Sequence, residues 1–340
     1  MASSIAPVPV PGLDPDRLAP WLAEHVPTDP GGALDEVHLI AGGRSNLTYR
    51  IVHSGRSMVL RRPPLGHVLA TAHDMSREYT VLTALYPTPV PVPRTLAYCA
   101  DPDVIGAPFY VMDHVEGTVY RSAADLAAAD GPALARELAD TLAHLHAVEP
   151  ESVGLAGFGR PDGFLGRQLR RWRKQLEASY TRELPGAQEL FDRLVKTEPQ
   201  SGNPAIVHGD YRLDNAIVSD GRIRAVLDWE MSTLGDPLTD LGTTCVYWDG
   251  IGGFGDAFPP CPGSLPGWPS RADLIERYAR HGGTGVDRLD WYLAFAYFKL
   301  AVILEGIWCR YTQGLTVGEG FDQIGAGVPE LIARGLTESA

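Results

Sequence analysis

Two short stretches decide the fold of this 340-residue chain: VHGDYRLDN at residues 207–215 and AVLDWE at residues 225–230. Asp210 lies five residues before Asn215, and Asp228 lies thirteen residues after it. The Ser-Asp-Gly-Arg sequence between the two stretches predicts a tight hairpin turn that joins two short strands. Such a hairpin would bring Asn215 and Asp228 side by side, and their side-chain oxygens are the ligand type that Mg²⁺ prefers.

The two stretches resemble the motifs of a known family. HGDYRLDN matches the HGDxxxxN pattern of the aminoglycoside phosphotransferase and choline kinase group. That group is related to the protein kinases, in which the catalytic loop reads HRDxxxxN and a metal-binding Asp opens the DFG motif. DWE at residues 228–230 stands in the DFG position, and GDPLTDLG at residues 235–242 also fits the family.

The resemblance implies a role for each of the polar residues. Asp210 is expected to be the catalytic base, and Asn215 and Asp228 are expected to bind Mg²⁺ on the phosphates of ATP. Asp240 is expected to brace the catalytic loop through its backbone. Without the resemblance, the same residues would be interpreted as the turn and capping groups of a surface hairpin.

The resemblance also implies a two-lobed, protein-kinase-like α+β fold. It predicts a small antiparallel-sheet N-terminal lobe at residues 1–115, which binds the nucleotide. It also predicts a larger, mostly helical C-terminal lobe at residues 116–340, which carries catalysis and acceptor binding. The sequence pattern agrees, because five short β-like runs and one inserted helix precede residue 113. A long Ala- and Leu-rich helix is predicted at residues 123–148.

Arg61 lies where the family has a Lys. MVLR at residues 58–61 occupies the position of the VAIK strand of kinases, and Glu78 on the following helix is the expected ion-pair partner. Arg keeps the positive charge and can bind two phosphate oxygens at once, but it is bulkier than Lys. Arg62, on the opposite face of the strand, is the competing candidate. The alternative is that Arg61 and Glu78 are ordinary surface residues.

A small-residue loop is the candidate for phosphate contacts. GGRSN at residues 42–46 lacks the GxGxxG pattern of kinases. Its backbone N–H groups, the Ser45 hydroxyl and Asn46 could still contact phosphate oxygens. An ordinary hairpin turn would use the same residues.

A second segment is the candidate for adenine contacts. FYVMDHV at residues 109–115 resembles the hinge of kinases. Asp113 and Val115 could offer main-chain groups to adenine, with Met112 behind the ring. The alternative role of Met112 is core packing.

In detail, the sequence is most similar to the phosphotransferase domains that are fused to, or encoded beside, acyl-CoA dehydrogenases. The matching segments include GGRSNLTY, VLRRPPLG, RQLRRW and LDWEMSTLGDPLTDLG, and they are spread over residues 42–307. This resemblance implies a small-molecule hydroxyl acceptor such as a hydroxyacyl-CoA or a hydroxy acid. The alternatives are an aminoglycoside O-phosphotransferase and a catalytically silent, kinase-like nucleotide-binding protein.

A basic cluster on a predicted helix bears on the acceptor. The cluster comprises Arg167, Arg170, Arg171, Arg173 and Lys174. Aminoglycosides and choline are cations and favour acidic pockets, whereas the phosphates of coenzyme A would favour a basic patch. A solvated helix face would show the same pattern, so both interpretations stay open.

The composition argues against several other classes. A formal charge of −13 is unfavourable for sequence-independent binding to nucleic acid. Four scattered cysteines form no CxxC pair and indicate reduced thiols in a cytoplasmic protein. The N-terminal sequence lacks the basic and apolar regions of a signal peptide.

One apolar run has the composition of either a membrane span or a core helix. Residues 291–307 are largely apolar but are interrupted by Lys299 and Glu305. The two charges favour a buried helix over a membrane span. Because an unpaired buried charge is costly, Lys299 and Glu305 are expected either to line the acceptor cleft or to form buried pairs.

Overall fold

The structure is a computed structural model that describes residues 10–27, 34–40, 46–65, 74–250, 261–315 and 321–339. The chain divides into two compact units. Unit 1 comprises Met1–Pro87, Val92–Glu116 and Asp228–Glu230. Unit 2 comprises Thr88–Pro91, Gly117–Leu227 and Met231–Ala340. The predicted α+β class is confirmed, because unit 1 carries a five-stranded antiparallel sheet and unit 2 is mostly helical.

The described elements of unit 1 are α1 Pro15–His25, β1 Leu34–Leu39, β2 Leu47–His53, β3 Arg56–Arg62, α2 Met75–Leu85, β4 Thr95–Cys99 and β5 Phe109–Asp113. The strands form one sheet in the order β1-β2-β3-β5-β4. Ser54 and Gly55 between β2 and β3 both have positive φ, at 52° and 73°. That combination is the type I′ turn, whose twist suits a two-residue hairpin.

The two helices described in unit 1 are each capped by an aspartate. The Asp14 carboxylate accepts the Asp16 N–H at 3.1 Å, and the Asp74 carboxylate accepts the Ser76 N–H at 3.0 Å. These contacts satisfy N–H groups that have no partner inside the helix.

Unit 2 contains eight helices and two short two-stranded sheets among its described residues. The helices are α3 Ala123–Ala127, α4 Gly131–Ala147, α5 Phe164–Ala178, α6 Ala187–Lys196, α7 Leu238–Asp249, α8 Arg271–Arg280, α9 Leu289–Thr312 and α10 Ile324–Glu338. The strands are β6 Ala205–Val207, β7 Ala216–Ser219, β8 Arg222–Val226 and β9 Thr233–Gly235. Strand β6 pairs with β9, and β7 pairs with β8, each antiparallel.

The single helix predicted at residues 123–148 is wrong, because the structure has two helices there, α3 and α4. The Asp130 carboxylate accepts the Ala133 N–H at 3.0 Å and caps a new helix. Pro132 lies in the first turn of that helix, where its missing N–H has no consequence. Inside a continuous helix the same proline would remove a hydrogen bond, and Gly131 before it would add a further cost.

The predicted hairpin after the catalytic-loop motif is confirmed. Asp220 and Gly221 both have positive φ, at 54° and 69°, and form its turn between β7 and β8. The Leu227 N–H extends the ladder by donating to the Asn215 carbonyl at 2.8 Å. The hairpin therefore brings Asn215 to the residue that directly precedes Asp228 in the chain.

Helix α9 is the central helix of unit 2. The helical stretch Val286–Thr312 is long and apolar enough to cross a membrane, with a mean hydropathy of 1.5, but 83% of its most apolar window is buried inside the protein. The buried helix predicted at residues 291–307 is confirmed. Glu305 is fully buried, and the Arg182 guanidinium donates to its two oxygens at 2.6–3.2 Å, so this charge forms a buried pair.

We predict that Arg182→Met destabilises the protein by about 3–5 kcal/mol, because the Glu305 carboxylate would stay buried without a counter-charge. Urea unfolding measures this free energy. Arg182→Met combined with Glu305→Leu should recover most of the loss. Arg280→Met removes an exposed pair with Glu276 and serves as the control, with an expected change of at most about 1 kcal/mol. An effect of Arg182→Met as small as that of the control would contradict the prediction.

Candidate active site

Asp240 at the start of α7 holds the loop that carries the HGD motif. Its carboxylate accepts the His208 N–H at 2.6 Å through Oδ2 and the Gly209 N–H at 2.8 Å through Oδ1. The His146 ring lies 3.4 Å from the same Oδ2. Burial by itself would raise the pKa of Asp240, but the hydrogen bond and charge of His146, with the contribution of His208, lower it below its ordinary value. The predicted brace is confirmed.

The His208 ring bridges two segments of unit 2. Its Nδ1 accepts the Asp210 N–H at 3.2 Å, and its Nε2 lies 2.8 Å from the Leu227 carbonyl. Because Nδ1 is an acceptor, the proton of a neutral ring is on Nε2, which donates to Leu227. The ring thus fixes the backbone of Asp210 and the end of the β7–β8 hairpin.

Gly209 meets a steric requirement of this loop. Its φ is +88°, in the region that favours glycine. A Cβ atom at this position would lie 2.8 Å from both the Cβ and the carbonyl oxygen of Met231. A side chain at residue 209 would therefore displace either the loop or the segment that contains Met231.

The Asp210 carboxylate and the Asn215 side chain lie within hydrogen-bond distance of each other. Asn215 Nδ2 donates to the Asp210 carbonyl at 2.9 Å and to Asp210 Oδ2 at 3.1 Å. Arg212 Nε donates to the same Oδ2 at 3.2 Å. Since the Asn215 nitrogen faces Asp210, its amide oxygen is the atom that remains for a cation.

Arg212 is a residue of this site that the sequence did not single out. Besides Asp210, it pairs with Asp214 at 2.9 Å, and its guanidinium lies over the Tyr247 ring at 4.7 Å. Its position between Asp210 and Asn215 in the HGDYRLDN motif was the feature of the sequence that could have indicated this role. A small, mostly apolar pocket adjoins Arg212 and is lined also by Tyr120, Leu126, Leu138, Tyr247 and Trp248.

Arg61 and Glu78 form the ion pair that was expected in unit 1. Arg61 Nε lies 2.9 Å from Glu78 Oε2, and the Tyr110 hydroxyl donates to the same oxygen at 2.8 Å. Arg61 Nη2 pairs also with Asp228 Oδ1. Burial alone would lower the pKa of Arg61, but the charges of Glu78, Tyr110 and Asp228 raise it above its ordinary value.

Arg62 takes a different role from that of Arg61. It is buried and donates to three backbone carbonyls, those of Gly12, Pro63 and Ile105. Because successive side chains of a strand point to opposite faces, Arg61 faces Glu78 and Asp228, whereas Arg62 contacts backbone carbonyls on the other face.

Asp228 has an uncommon backbone conformation. Its φ is +66°, which is rare for a residue other than glycine but is tolerated by aspartate. Its Oδ1 takes part in the Arg61 pair. A residue held in this conformation is typical of a functional site.

Asn46 joins two acidic residues of unit 1. Its Nδ2 donates to Glu78 Oε1 at 3.1 Å and to Glu230 Oε2 at 3.0 Å. Carboxylate oxygens of Glu78, Asp228 and Glu230 lie within 4.8 Å of one another, close enough to share a cation. Glu230 ends the DWE motif but was not among the predicted site residues. Ser45, predicted as a phosphate contact, lies outside the described residues.

The predicted adenine-contact residues lie on and after β5. Met112 is buried and pairs with Val59 and Thr95 in the sheet. The Asp113 N–H donates to the Arg94 carbonyl at 2.9 Å, and its carboxylate accepts Arg56 at 2.6 Å. Val115 is half-buried. Their role toward a nucleotide stays a prediction.

The basic cluster on α5 is largely engaged in local contacts. Arg167 donates to the carbonyls of Arg160 and Asp162, and Arg173 pairs with Glu177 at 2.8 Å. Arg171 lies over the Trp172 ring at 5.4 Å. Trp172 itself is buried, so the ring packs in unit 2.

Lys299 of α9 contacts the same loop, so this charge lies beside Asp210. Its Nζ donates to the Gly209 carbonyl at 2.5 Å and lies 5.9 Å from the centre of the Trp172 ring. The signal in the sequence was the lysine in an apolar helix, but its partner could not be deduced from that pattern.

Comparison with known families decides the assignment of these motifs. Residues 36–292 match the phosphotransferase enzyme family over most of the described chain. The chain belongs to this family. Membership accounts for the HGD and DWE segments together, since both lie within the matched residues, and it confirms the resemblance inferred from the sequence.

The similar curated proteins are longer than this phosphotransferase. It is 38% identical over 322 residues to acyl-CoA dehydrogenase family member 11 of Gallus gallus, covering 91% of this chain and 41% of that protein. It is 33% identical over 356 residues to the probable acyl-CoA dehydrogenase IBR3 of Arabidopsis thaliana, covering 95% of this chain and 42% of that protein. The chain thus spans about two fifths of the length of these relatives.

Solved structures confirm the kinase-like fold. A candidate aminoglycoside phosphotransferase from Ralstonia eutropha JMP134 has a TM-score of 0.80 and 33% identity, with 96% of this chain and 98% of that chain covered. Macrolide 2′-phosphotransferase MphH from Brachybacterium faecium has a TM-score of 0.61 at 20% identity, with 92% and 98% covered. At that identity, the second comparison shows the fold alone.

We predict that Asp240→Asn destabilises this phosphotransferase by about 1–3 kcal/mol near neutral pH, because an amide cannot accept all the hydrogen bonds that reach the buried carboxylate. The depressed pKa makes this contribution pH-dependent. It is fully present above the ordinary value of 3.8 and is lost as the pH falls through the lower value in the folded protein. Urea unfolding of both proteins at neutral pH and below pH 3.8 measures the difference. A difference that does not change with pH would contradict the prediction.

Proposed function

We propose that this phosphotransferase transfers the γ-phosphoryl group of ATP to a hydroxyl group of a small molecule, with Asp210 as the catalytic base and Mg²⁺ as cofactor. The observation that carries the proposal is the Asp210 carboxylate, which is fixed by Arg212 and Asn215 on a braced loop. Phosphoryl transfer depends mainly on positioning and electrostatics, and a rigidly held carboxylate can orient an attacking hydroxyl.

The donor atoms present suit a magnesium–nucleotide complex. Asn215 offers its amide oxygen and Asp228 its carboxylate, and both are hard oxygen ligands. Arg61 carries the charge that would bind phosphate oxygens, and Glu78 orients it. Mg²⁺ would supply neutralisation of the phosphate charge. Met112, Asp113 and Val115 are proposed to contact adenine. Asn46 is proposed to belong to the loop that contacts the phosphates.

The acceptor is proposed to be a hydroxyacyl-CoA or a related hydroxy acid. Similarity to proteins named acyl-CoA dehydrogenases supports a coenzyme A thioester. Lys299 and Arg212 place positive charge beside Asp210, which suits an anionic acceptor better than an aminoglycoside. A cytoplasmic location, where ATP and such thioesters are present, is part of the proposal.

Aminoglycoside phosphorylation is the second candidate function. A structure with AMP-PNP and hygromycin B, that of aminoglycoside phosphotransferase APH(4)-Ia, has a TM-score of 0.63 at 16% identity, with 91% of this chain and 95% of that chain covered. The similarity at this identity concerns the fold. A catalytically silent nucleotide-binding protein is the third, and the replacement of Lys by Arg61 is the observation that favours it.

We predict that Asp210→Asn lowers turnover by about 10²–10⁴-fold, the usual contribution of a general base. The amide keeps the size of the carboxylate, so the thermal unfolding midpoint and the Mg–ATP dissociation constant from calorimetry should stay close to those of the unaltered protein. Asp220→Asn, in the exposed hairpin turn, is the control and should retain full turnover. Near-normal phosphorylation by Asp210→Asn would rule out the assigned base.

We predict that ATP consumption rises most with coenzyme A thioesters in a screen of hydroxyacyl-CoAs, hydroxy acids, amino sugars and amino alcohols. The basic groups near Asp210 provide the physical reason, because they complement the phosphates of coenzyme A. Preferential use of kanamycin-type amino sugars would favour the second function. Mg–ATP binding without turnover on any class would favour the silent protein.

A further inference from the structure

Lys299 interrupts an otherwise apolar part of α9. Its neighbours Phe298 and Leu300 are buried, and burial lowers the pKa of Lys299 although the charges of Asp210 and Asp240 oppose this effect. Lys299 is half-buried, and an ammonium group that is partly removed from water costs free energy unless a partner compensates it. The lysine therefore needs an explanation beyond the packing of the helix.

The partner of Lys299 is a backbone atom next to the catalytic base. The ammonium donates to the Gly209 carbonyl at 2.5 Å, and this carbonyl belongs to the peptide that joins Gly209 to Asp210. The N–H of the same peptide donates to His208 Nδ1 at 3.2 Å. The peptide plane is thus held at its oxygen and at its nitrogen.

The preceding peptide is held as well, but by a different residue. Asp240 accepts the Gly209 N–H at 2.8 Å and the His208 N–H at 2.6 Å. Asp240 and His208 cannot hold the Gly209 carbonyl, because a carboxylate has no proton to donate and the His208 Nδ1 is an acceptor. Lys299 supplies the donor at this position, and a charged donor makes a stronger hydrogen bond than a neutral one.

We propose that Lys299 is a positioning residue of the phosphotransfer reaction, which fixes the Gly209–Asp210 peptide and with it the direction in which the Asp210 carboxylate projects. The part of this inference that concerns turnover rests on the proposed function. The part that concerns the rigidity of the loop does not.

Charged groups of both signs surround the ammonium of Lys299. Asp210 and Asp240 favour its charged form, whereas Arg171 and Arg212 disfavour it. Because the two carboxylates lie on the loop and on its brace, the ammonium also offsets their negative charge. The contact therefore combines a hydrogen bond with charge compensation at the same loop.

The experiment compares Lys299→Met, which removes the donor, with Lys299→Arg, which keeps a charged donor long enough to reach the loop. Glu305→Gln is the matched control, since Glu305 lies six residues further along α9 and pairs with Arg182 instead of the loop. The measurements are steady-state turnover of Mg–ATP with the acceptor from the screen, or with water when no acceptor is found, thermal unfolding, and amide hydrogen exchange of peptides covering residues 205–215.

Lys299→Met is expected to lower kcat by about 100-fold, the order of loss from a misplaced catalytic group, with the KM for ATP within about twofold of the original. Exchange within residues 205–215 should accelerate, and Lys299→Arg should restore both exchange protection and most of the turnover. Glu305→Gln should lower the unfolding temperature and leave kcat and loop exchange unchanged.

Two results would overturn the inference. One is Lys299→Met with normal loop exchange and with kcat within about threefold of the original, well short of the loss expected from misplacement. The other is Lys299→Arg as impaired as Lys299→Met in both measurements while unfolding at the original temperature. Failure of the proposed function is distinguishable, since the unaltered protein would then consume no ATP while the exchange comparison would still give its answer.

Discussion

The carboxylate of Asp240 is the constraint on which the catalytic-loop region of unit 2 depends. It accepts two consecutive backbone N–H groups, those of His208 and Gly209, and is fully buried. Buried N–H groups require acceptors, and a charged acceptor gives shorter and stronger hydrogen bonds than a neutral one. The loop can therefore adopt a backbone that neither a helix nor a strand would provide, and Asp210 projects from this backbone.

Local sequence predicted much of the fold because short-range rules govern it. The Asp14 cap, the Asp220–Gly221 turn and the strands of unit 1 each follow from a few neighbouring residues. The pairing of Asn215 with Leu227, the residue before Asp228, followed in the same way from the predicted hairpin. The prediction of one helix at residues 123–148 was wrong because the Ala and Leu content was given more weight than the Asp-Gly-Pro sequence at residues 130–132, where a new helix begins.

Long-range partners were beyond the reach of the sequence. Lys299 is 90 residues from the Gly209 carbonyl that it contacts, and Glu305 is 123 residues from Arg182. A charge in an apolar helix shows that some partner exists, but only the packing of α9 selects it. The choice between Arg61 and Arg62 also required the structure, because both lie on one strand and only their opposite directions separate their roles.

The pairing of Arg61 with Glu78 and Asp228 affects how the acidic cluster would respond to a metal. Three carboxylates within 4.8 Å repel one another unless a positive group lies among them. The guanidinium is that group, so the cluster carries its own counter-ion. A cation that binds Asp228 has to compete with this resident charge, which makes its net affinity the difference between two electrostatic interactions. The cluster is therefore suited to an exchangeable ion that arrives and leaves with a ligand, in contrast to the permanent ion of a structural metal site.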